Sequence, residues 1–193
     1  MQVFHPGHLQ FQRDPLQHPQ ISRPQPPLIH PPSTSTRLNI PTMKTFQTIS
    51  ELASHVGQEV GTSDWITITQ EQVNLFAEAT GDHQWIHVDV ARAKAGPFGA
   101  PIAHGFLTLS LLPLFFASTF EIVQKGMGVN YGLNKVRFTS PVPVGSRLRA
   151  RMTLLKAEPI DNNGLQMTWA VAVEREGAAK PVCVAESISR SYP

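Results

Sequence analysis

The C-terminal third of the chain alternates apolar and polar residues in several segments. Residues 147–154 and 165–173 place apolar side chains at every second position, and a shorter apolar segment covers 182–188. Such alternation puts one face of a strand in the core and is typical of antiparallel sheets. A fourth segment, 129–139, changes its apolar parity between Leu133 and Val136, which indicates a β-bulge. The pattern predicts an antiparallel sheet with one apolar face.

One earlier segment has the period of an amphipathic helix. Thr69 is followed three residues later by Gln72, the form of a capping box. Val73, Phe76 and Ala77 then recur at helical spacing, and glycine follows at position 81, where it suits the end of a helix. The pattern predicts a helix over about 70–79.

Residues 102–120 contain no Asp, Glu, Lys or Arg and are apolar on every helical face. A membrane span needs about 20 residues, but His104, Pro113 and several hydroxyl residues argue against one here. The alternative is a helix buried on all sides by protein. A helix of 20 residues is about 30 Å long, and a sheet of five or six strands is about 25 Å wide. We therefore predict an α+β hot-dog fold, in which a curved antiparallel sheet wraps around one long central helix.

The first 42 residues differ in composition from the rest. They hold nine of the 17 prolines and four of the eight histidines, without a sustained apolar pattern. Too little apolar surface is available there to offset the entropy lost on ordering. The sequence predicts a flexible, dispensable Pro-rich tail over residues 1–42 and one hot-dog domain over residues 43–193.

Charge and cysteine content narrow the possible partners. The formal net charge of +2 belongs to the tail, because residues 43–193 carry 13 basic and 13 acidic side chains. A neutral body gives no general attraction to nucleic acid or to an anionic membrane. The chain has a single cysteine, Cys183, which excludes an internal disulfide. We expect a cytoplasmic location and no nucleic-acid or membrane partner.

The candidate chemistry lies just before the apolar segment, where Asp82, His87 and His104 follow one another. A carboxylate and an imidazole can hold one water as acid and base partners. The unpaired amides of a helix start can polarise a carbonyl and stabilise developing negative charge. Other interpretations remain open: Asp82 as a turn residue, His87 as a strand histidine, or a metal shared by His83 and His87.

A longer motif carries a family resemblance. Gly81-Asp82, His87 five residues after the aspartate, Phe98-Gly99 and the segment 102–105 (Ile-Ala-His-Gly) follow in order. Over about residues 48–190 the chain resembles the MaoC-like dehydratases, which include (R)-specific enoyl-CoA hydratases, and it is most similar to their nodulation-protein-N-like branch. Gln84-Trp85 stands where many of these hydratases have Asn-Pro. We expect this difference to affect the shape of the loop and the substrate preference more than the reaction class.

The resemblance implies a function and roles for five residues. Asp82 and His87 would hold the water that adds to C3 of a trans-2-enoyl-CoA, giving the (R)-3-hydroxyacyl-CoA. The Gly105 N–H would donate a hydrogen bond to the thioester oxygen, and Ser110 would line the site and orient the aspartate. His104 completes the predicted oxyanion and substrate-binding residues, and the alternative is that it is a structural hydrogen-bonding residue that shapes the helix start. No cofactor and no metal are implied. The partners would be an acyl-CoA thioester and a second copy in a homodimer. The alternatives are a hot-dog acyl-CoA thioesterase and a non-catalytic acyl-CoA-binding module.

Overall fold

The computed structural model describes residues 43–124 and 126–193. Its strands are β1 (Lys44–Phe46), β2 (Glu59–Thr62), β3 (Ile66–Thr67), β4 (Phe120–Ile122), β5 (Gly128–Phe138), β6 (Arg147–Ile160), β7 (Gly164–Arg175) and β8 (Cys183–Ser191). Its helices are α1 (Ile49–Ala53), α2 (Gln70–Thr80), α3 (Trp85–Val88), α4 (Val90–Lys94), α5 (Gly105–Ser110) and α6 (Leu112–Thr119). The predicted tail, residues 1–42, lies outside the described residues.

The main sheet has six antiparallel strands in the order β2-β6-β7-β8-β5, with β3 also paired to β6. The alternation predicted for β6 is confirmed, because Leu148, Ala150, Met152 and Leu154 are all fully buried. The register of β5 against β8 shifts twice, at 130–132 and at 133–135. The second shift is the bulge that the change of parity predicted. β1 and β4 form a separate parallel pair.

The helix predicted over 70–79 is confirmed as α2. Thr69 caps it with a complete capping box: its hydroxyl accepts from the Gln72 N–H, and the Gln72 side chain accepts from the Thr69 N–H. Gly81 ends the helix at φ 77°, a left-handed conformation that glycine adopts without strain. This sharp end turns the chain directly into Asp82.

The prediction of one long helix buried on all sides was wrong in two respects. The central rod is two short helices, α5 and α6, that meet at Leu111. Pro113 lies in the first turn of α6, and proline has no N–H with which to continue the hydrogen bonds of α5. Burial is also incomplete, because Phe106 is 68% exposed and Leu114 is 50% exposed.

The buried face of the rod packs against one face of the sheet. Leu107, Leu112 and Phe115 share one core with the inward side chains of β6 and β7, including Trp169. The antiparallel sheet around a central helical rod confirms the predicted hot-dog architecture. None of the helices in residues 43–124 and 126–193 is both long and apolar enough to cross a membrane.

Candidate active site

The loop after α2 places Asp82 at the surface and His87 in the interior. Asp82 is exposed, and one of its carboxylate oxygens accepts weakly from the Gln84 N–H at 3.4 Å. The chain then forms the single turn of α3, which carries His87 inward until it is 6% exposed. Gln70 holds this turn in place by donating from its side-chain amide to the His87 carbonyl at 2.8 Å.

The hydrogen bonding of His87 defines its tautomer. His87 Nδ1 lies 2.7 Å from the Ile102 carbonyl oxygen. A carbonyl can only accept, so Nδ1 carries the proton and Nε2 of the neutral ring keeps a free lone pair. Burial is the largest influence on the His87 pKa and lowers it from the ordinary 6.5, and His104 lowers it further. The Ile102 hydrogen bond and the Asp82 carboxylate oppose this shift. At neutral pH His87 is therefore a neutral base.

His104 connects the two candidate groups. It occupies the N-cap position of α5, is 2% exposed, and donates from Nε2 to the Asp82 main-chain oxygen at 2.9 Å. Its ring also stacks on that of His87, with centroids 3.8 Å apart and planes 27° apart. The ring therefore fixes the backbone of Asp82 beside His87 from within the protein interior.

Asp82, His87 and His104 lie close together. A carboxylate oxygen of Asp82 and one ring nitrogen from each histidine all lie within 4.8 Å of one another. A water that bonds two groups at about 2.8 Å each can bridge such a gap. Three such groups could also ligate a metal. The His87 and His104 rings are stacked, however, so their in-plane lone pairs point side by side and not toward one metal ion. The arrangement therefore suits a bridging water better than a metal.

A pocket of about 360 Å³ opens beside this cluster. His87, Gly105 and Thr108 line it, together with Phe138 of β5 and the segment that follows β5. Gly105 is the first residue of α5, and the first amides of a helix have no partner within the helix. A β-carbon at this position would lie 2.7 Å from the Phe138 ring, so only glycine fits here without displacing that ring.

Ser110 occupies a different place from the other predicted site residues. It lines a second pocket of about 340 Å³, with Leu109 and the exposed strand residues Tyr131 and Leu133. Among the described contacts it makes no hydrogen bond to Asp82. The role predicted for it therefore stays a prediction. The structure brings Asp82, His87 and His104 together and places Gly105 on the same pocket as His87.

Thr108 also lines the candidate site, although it was not predicted from the sequence. It lies one turn after Gly105 on α5 and lines the His87 pocket. Its spacing could have indicated this position, because a residue three after Gly105 and four after His104 lies on the same helix face as both.

Comparison with known proteins gives the family of this chain. Residues 51–176 match the family described as MaoC like domain. The chain is 58% identical over 148 residues to 3-hydroxyacyl-thioester dehydratase Z of Mycobacterium tuberculosis, covering 77% of this chain and 98% of that one. It is 48% identical over 143 residues to nodulation protein N of Rhizobium meliloti, covering 73% and 89%.

Solved structures of similar proteins agree with this assignment. The R-hydratase PhaJ1 from Pseudomonas aeruginosa is 28% identical and superposes with a TM-score of 0.58 over 76% of this chain and 86% of that one. A monoamine oxidase regulatory protein from Archaeoglobus fulgius, 22% identical, has the same fold with a TM-score of 0.62, covering 79% and 99%. The chain therefore belongs to the MaoC-like dehydratase family that its Gly81-Asp82 to Gly105 motif resembles.

Proposed function

We propose that this protein is a hydro-lyase that interconverts trans-2-enoyl thioesters and (R)-3-hydroxyacyl thioesters. One observation carries the proposal: the Asp82 carboxylate and the neutral His87 imidazole lie within bridging distance of one water, and His87 lines a pocket shared with Gly105. The names of two relatives, a 3-hydroxyacyl-thioester dehydratase and an R-hydratase, support the same reaction class.

The geometry supports the following hydration path. Asp82 and His87 hold the water, and its oxygen attacks C3 of the enoyl thioester while one of the two groups accepts its proton. The electrons of the C2–C3 double bond move toward the thioester carbonyl. Its oxygen accepts a hydrogen bond from the Gly105 N–H. The protonated group then returns a proton to C2, so that one H and one OH have been added. Dehydration is the reverse.

The substrate carries its own electron sink. The thioester carbonyl accepts the developing charge, and preorganised donors such as the Gly105 N–H stabilise it. The proposed path therefore needs no cofactor or metal. As carrier we infer coenzyme A, because residues 43–193 carry no net positive charge that would attract an acidic carrier protein. A cytoplasmic location is also inferred, since the one cysteine is free and buried, as suits a reducing compartment.

The hydration assay separates the proposal from both alternatives. We expect purified protein to remove the conjugated absorbance of crotonyl-CoA, giving the (R)-3-hydroxy product on chiral analysis, with no free thiol released. A thioesterase would instead release coenzyme A to a thiol-reactive dye, and a binding module would change neither signal. Cys183 adds no background to the dye assay, because burial raises the pKa of its thiol to about 11. Thiol release without hydration would overturn the proposal.

We also propose that two copies pair through β5. This edge strand is exposed along almost its whole length and presents Val129, Tyr131, Leu133 and Phe138 to the surface. A long apolar edge strand is normally covered by a partner. The exposed Phe106 of α5 packs edge-on against Phe138 and extends the same apolar surface. The Ser110 pocket borders this strand, so a partner would lie beside it.

Sedimentation equilibrium tests the pairing. We expect a species of twice the 21.3 kDa chain mass. Leu133→Lys should shift it toward the monomer, because the charged side chain would be buried at the centre of the interface. Leu75→Lys is the matched control, since Leu75 is an exposed leucine on α2. A wild-type protein that sediments as a monomer would contradict the proposed dimer.

A further inference from the structure

Thr108 has a buried hydroxyl to which the described residues offer no hydrogen-bond partner. The residue is 2% exposed, and its Oγ1 has no partner among the described atoms. Buried polar groups in proteins are almost always paired, because leaving one unpaired forfeits its hydrogen bonds to water. An unpaired hydroxyl at this position therefore needs an explanation.

Two other helical threonines show what Thr108 could do but does not. Thr80 Oγ1 donates to the Phe76 carbonyl at 2.7 Å, and Thr119 Oγ1 donates to the Phe115 carbonyl at 2.8 Å. Both use the carbonyl four residues earlier, the usual local acceptor for a helical threonine. The corresponding acceptor for Thr108 is the His104 carbonyl, which accepts only the Thr108 N–H at 3.2 Å among the described bonds. The Thr108 hydroxyl is thus not used by its own helix.

The position of Thr108 places this hydroxyl at the candidate site. Thr108 lines the same pocket as His87 and Gly105, one turn after Gly105 on α5. Side chains on a helix lean toward its N-terminus, so the Thr108 side chain lies over the turn that begins at Gly105. Asp82 is not among the residues that line this pocket. The hydroxyl therefore lies on the Gly105 side of the site and not on the carboxylate side.

We infer that the Thr108 hydroxyl is a second hydrogen-bond donor to the thioester oxygen, acting beside the Gly105 N–H. The inference rests on the proposed function and deepens it by naming a residue that contacts the reacting group. The hydroxyl has no acceptor among the described protein atoms, and with substrate bound it donates to the thioester oxygen, which becomes negative as water adds to C3. A donor held ready in this way stabilises the transition state more than the ground state.

The test compares Thr108→Val, Thr108→Ser and Thr119→Val. Valine keeps the shape of threonine without the hydroxyl, and we expect Thr108→Val to lose about 10²–10³-fold in kcat on crotonyl-CoA. Its melting temperature should not fall, because the lost hydroxyl had no partner. Serine keeps the donor and should stay within about tenfold of wild-type kcat. Thr119→Val should show the opposite result, a lower melting temperature with kcat retained, because it loses a buried structural bond.

A saturated thioester separates failure of this inference from failure of the proposed function. Butyryl-CoA offers the same carbonyl but cannot be hydrated, so its binding can be measured even in a protein that lacks hydratase activity. If the wild type binds butyryl-CoA without hydrating crotonyl-CoA, only the proposed reaction fails, and a several-fold weaker binding to Thr108→Val keeps the inference. Wild-type kcat and wild-type affinity in Thr108→Val would overturn it. A melting temperature that falls as far as in Thr119→Val, with kcat retained, would assign Thr108 a structural role instead.

Discussion

Replacing His87 with alanine should lower kcat/KM for enoyl-CoA hydration by about 10²–10⁴-fold, the usual contribution of a positioned acid–base group. The expected loss follows from the geometry of the ring: Nδ1 is held by the Ile102 carbonyl, and Nε2 of the neutral ring is free to accept a proton. Initial rates from the loss of enoyl absorbance measure the effect. The variant should keep a folded circular dichroism spectrum.

His83→Ala is the matched control for this prediction. His83 lies four residues before His87, in the loop between α2 and α3, but its side chain is 49% exposed and faces Glu78 at 3.8 Å. It should therefore keep wild-type turnover. Equal losses in the two variants would show that the effect comes from the loop and not from the chemistry of His87.

The pH dependence of the wild type follows from the same residue. Burial lowers the pKa of His87 below the ordinary 6.5. The basic form therefore persists to lower pH than it would in an exposed histidine. Activity should fall on the acid side as pH drops through this lowered pKa, so the acid limb of the kcat/KM profile should lie below 6.5. The low-pH limb assigned to His87 should be absent from the residual activity of His87→Ala.

Replacing Asp82 with asparagine should lower kcat/KM by about 10²–10⁴-fold, as much as replacing His87 with alanine. Asparagine has nearly the same shape and keeps the backbone carbonyl that accepts from His104 at 2.9 Å. What is lost is the negative charge and one acceptor for the water. The same absorbance assay measures the rate, and thermal melting should show little change.

Asp89→Asn is the matched control for Asp82. Asp89 is the next carboxylate along the chain, and its side chain caps α4 by accepting from the Arg92 N–H at 3.0 Å. Asparagine caps helices about as well as aspartate. Asp89→Asn should therefore keep both stability and turnover. Full activity in Asp82→Asn would remove the carboxylate from the proposed mechanism.

The sheet was predictable from the sequence because its signals are local. Alternation in β6 and β7 marks which side chains point inward, and each strand alone carries that signal. The hairpin turn between them also has a local sequence signal. Asn162 and Asn163 take φ values of 59° and 54°, a conformation that asparagine tolerates better than most residues. The break at Leu111 was not predicted, because the apolar composition of 102–120 favoured one continuous helix in spite of Pro113. The exposed side chains of this segment were not predicted either, because apolar composition does not show which residues reach the surface.

The site was predictable in part. The spacing from Asp82 to His87 and the position of Gly105 are read along the chain, and the family resemblance gave them roles. The stacking of His104 on His87 depends on how residues 88–103 fold back, which no local pattern specifies. The free hydroxyl of Thr108 was equally hidden, because Thr80, Thr108 and Thr119 look alike in sequence and differ only in the acceptor that each hydroxyl reaches.

A double-mutant cycle on kcat/KM tests most directly whether Asp82 and His87 hold one water between them. Rates for wild type, Asp82→Asn, His87→Ala and the double variant are measured with the same enoyl-CoA. Groups that act as one unit show strongly non-additive losses. The double variant should therefore be about as slow as the slower single variant. Single variants with wild-type rates, or a double loss equal to the product of the two single losses, would contradict a shared water.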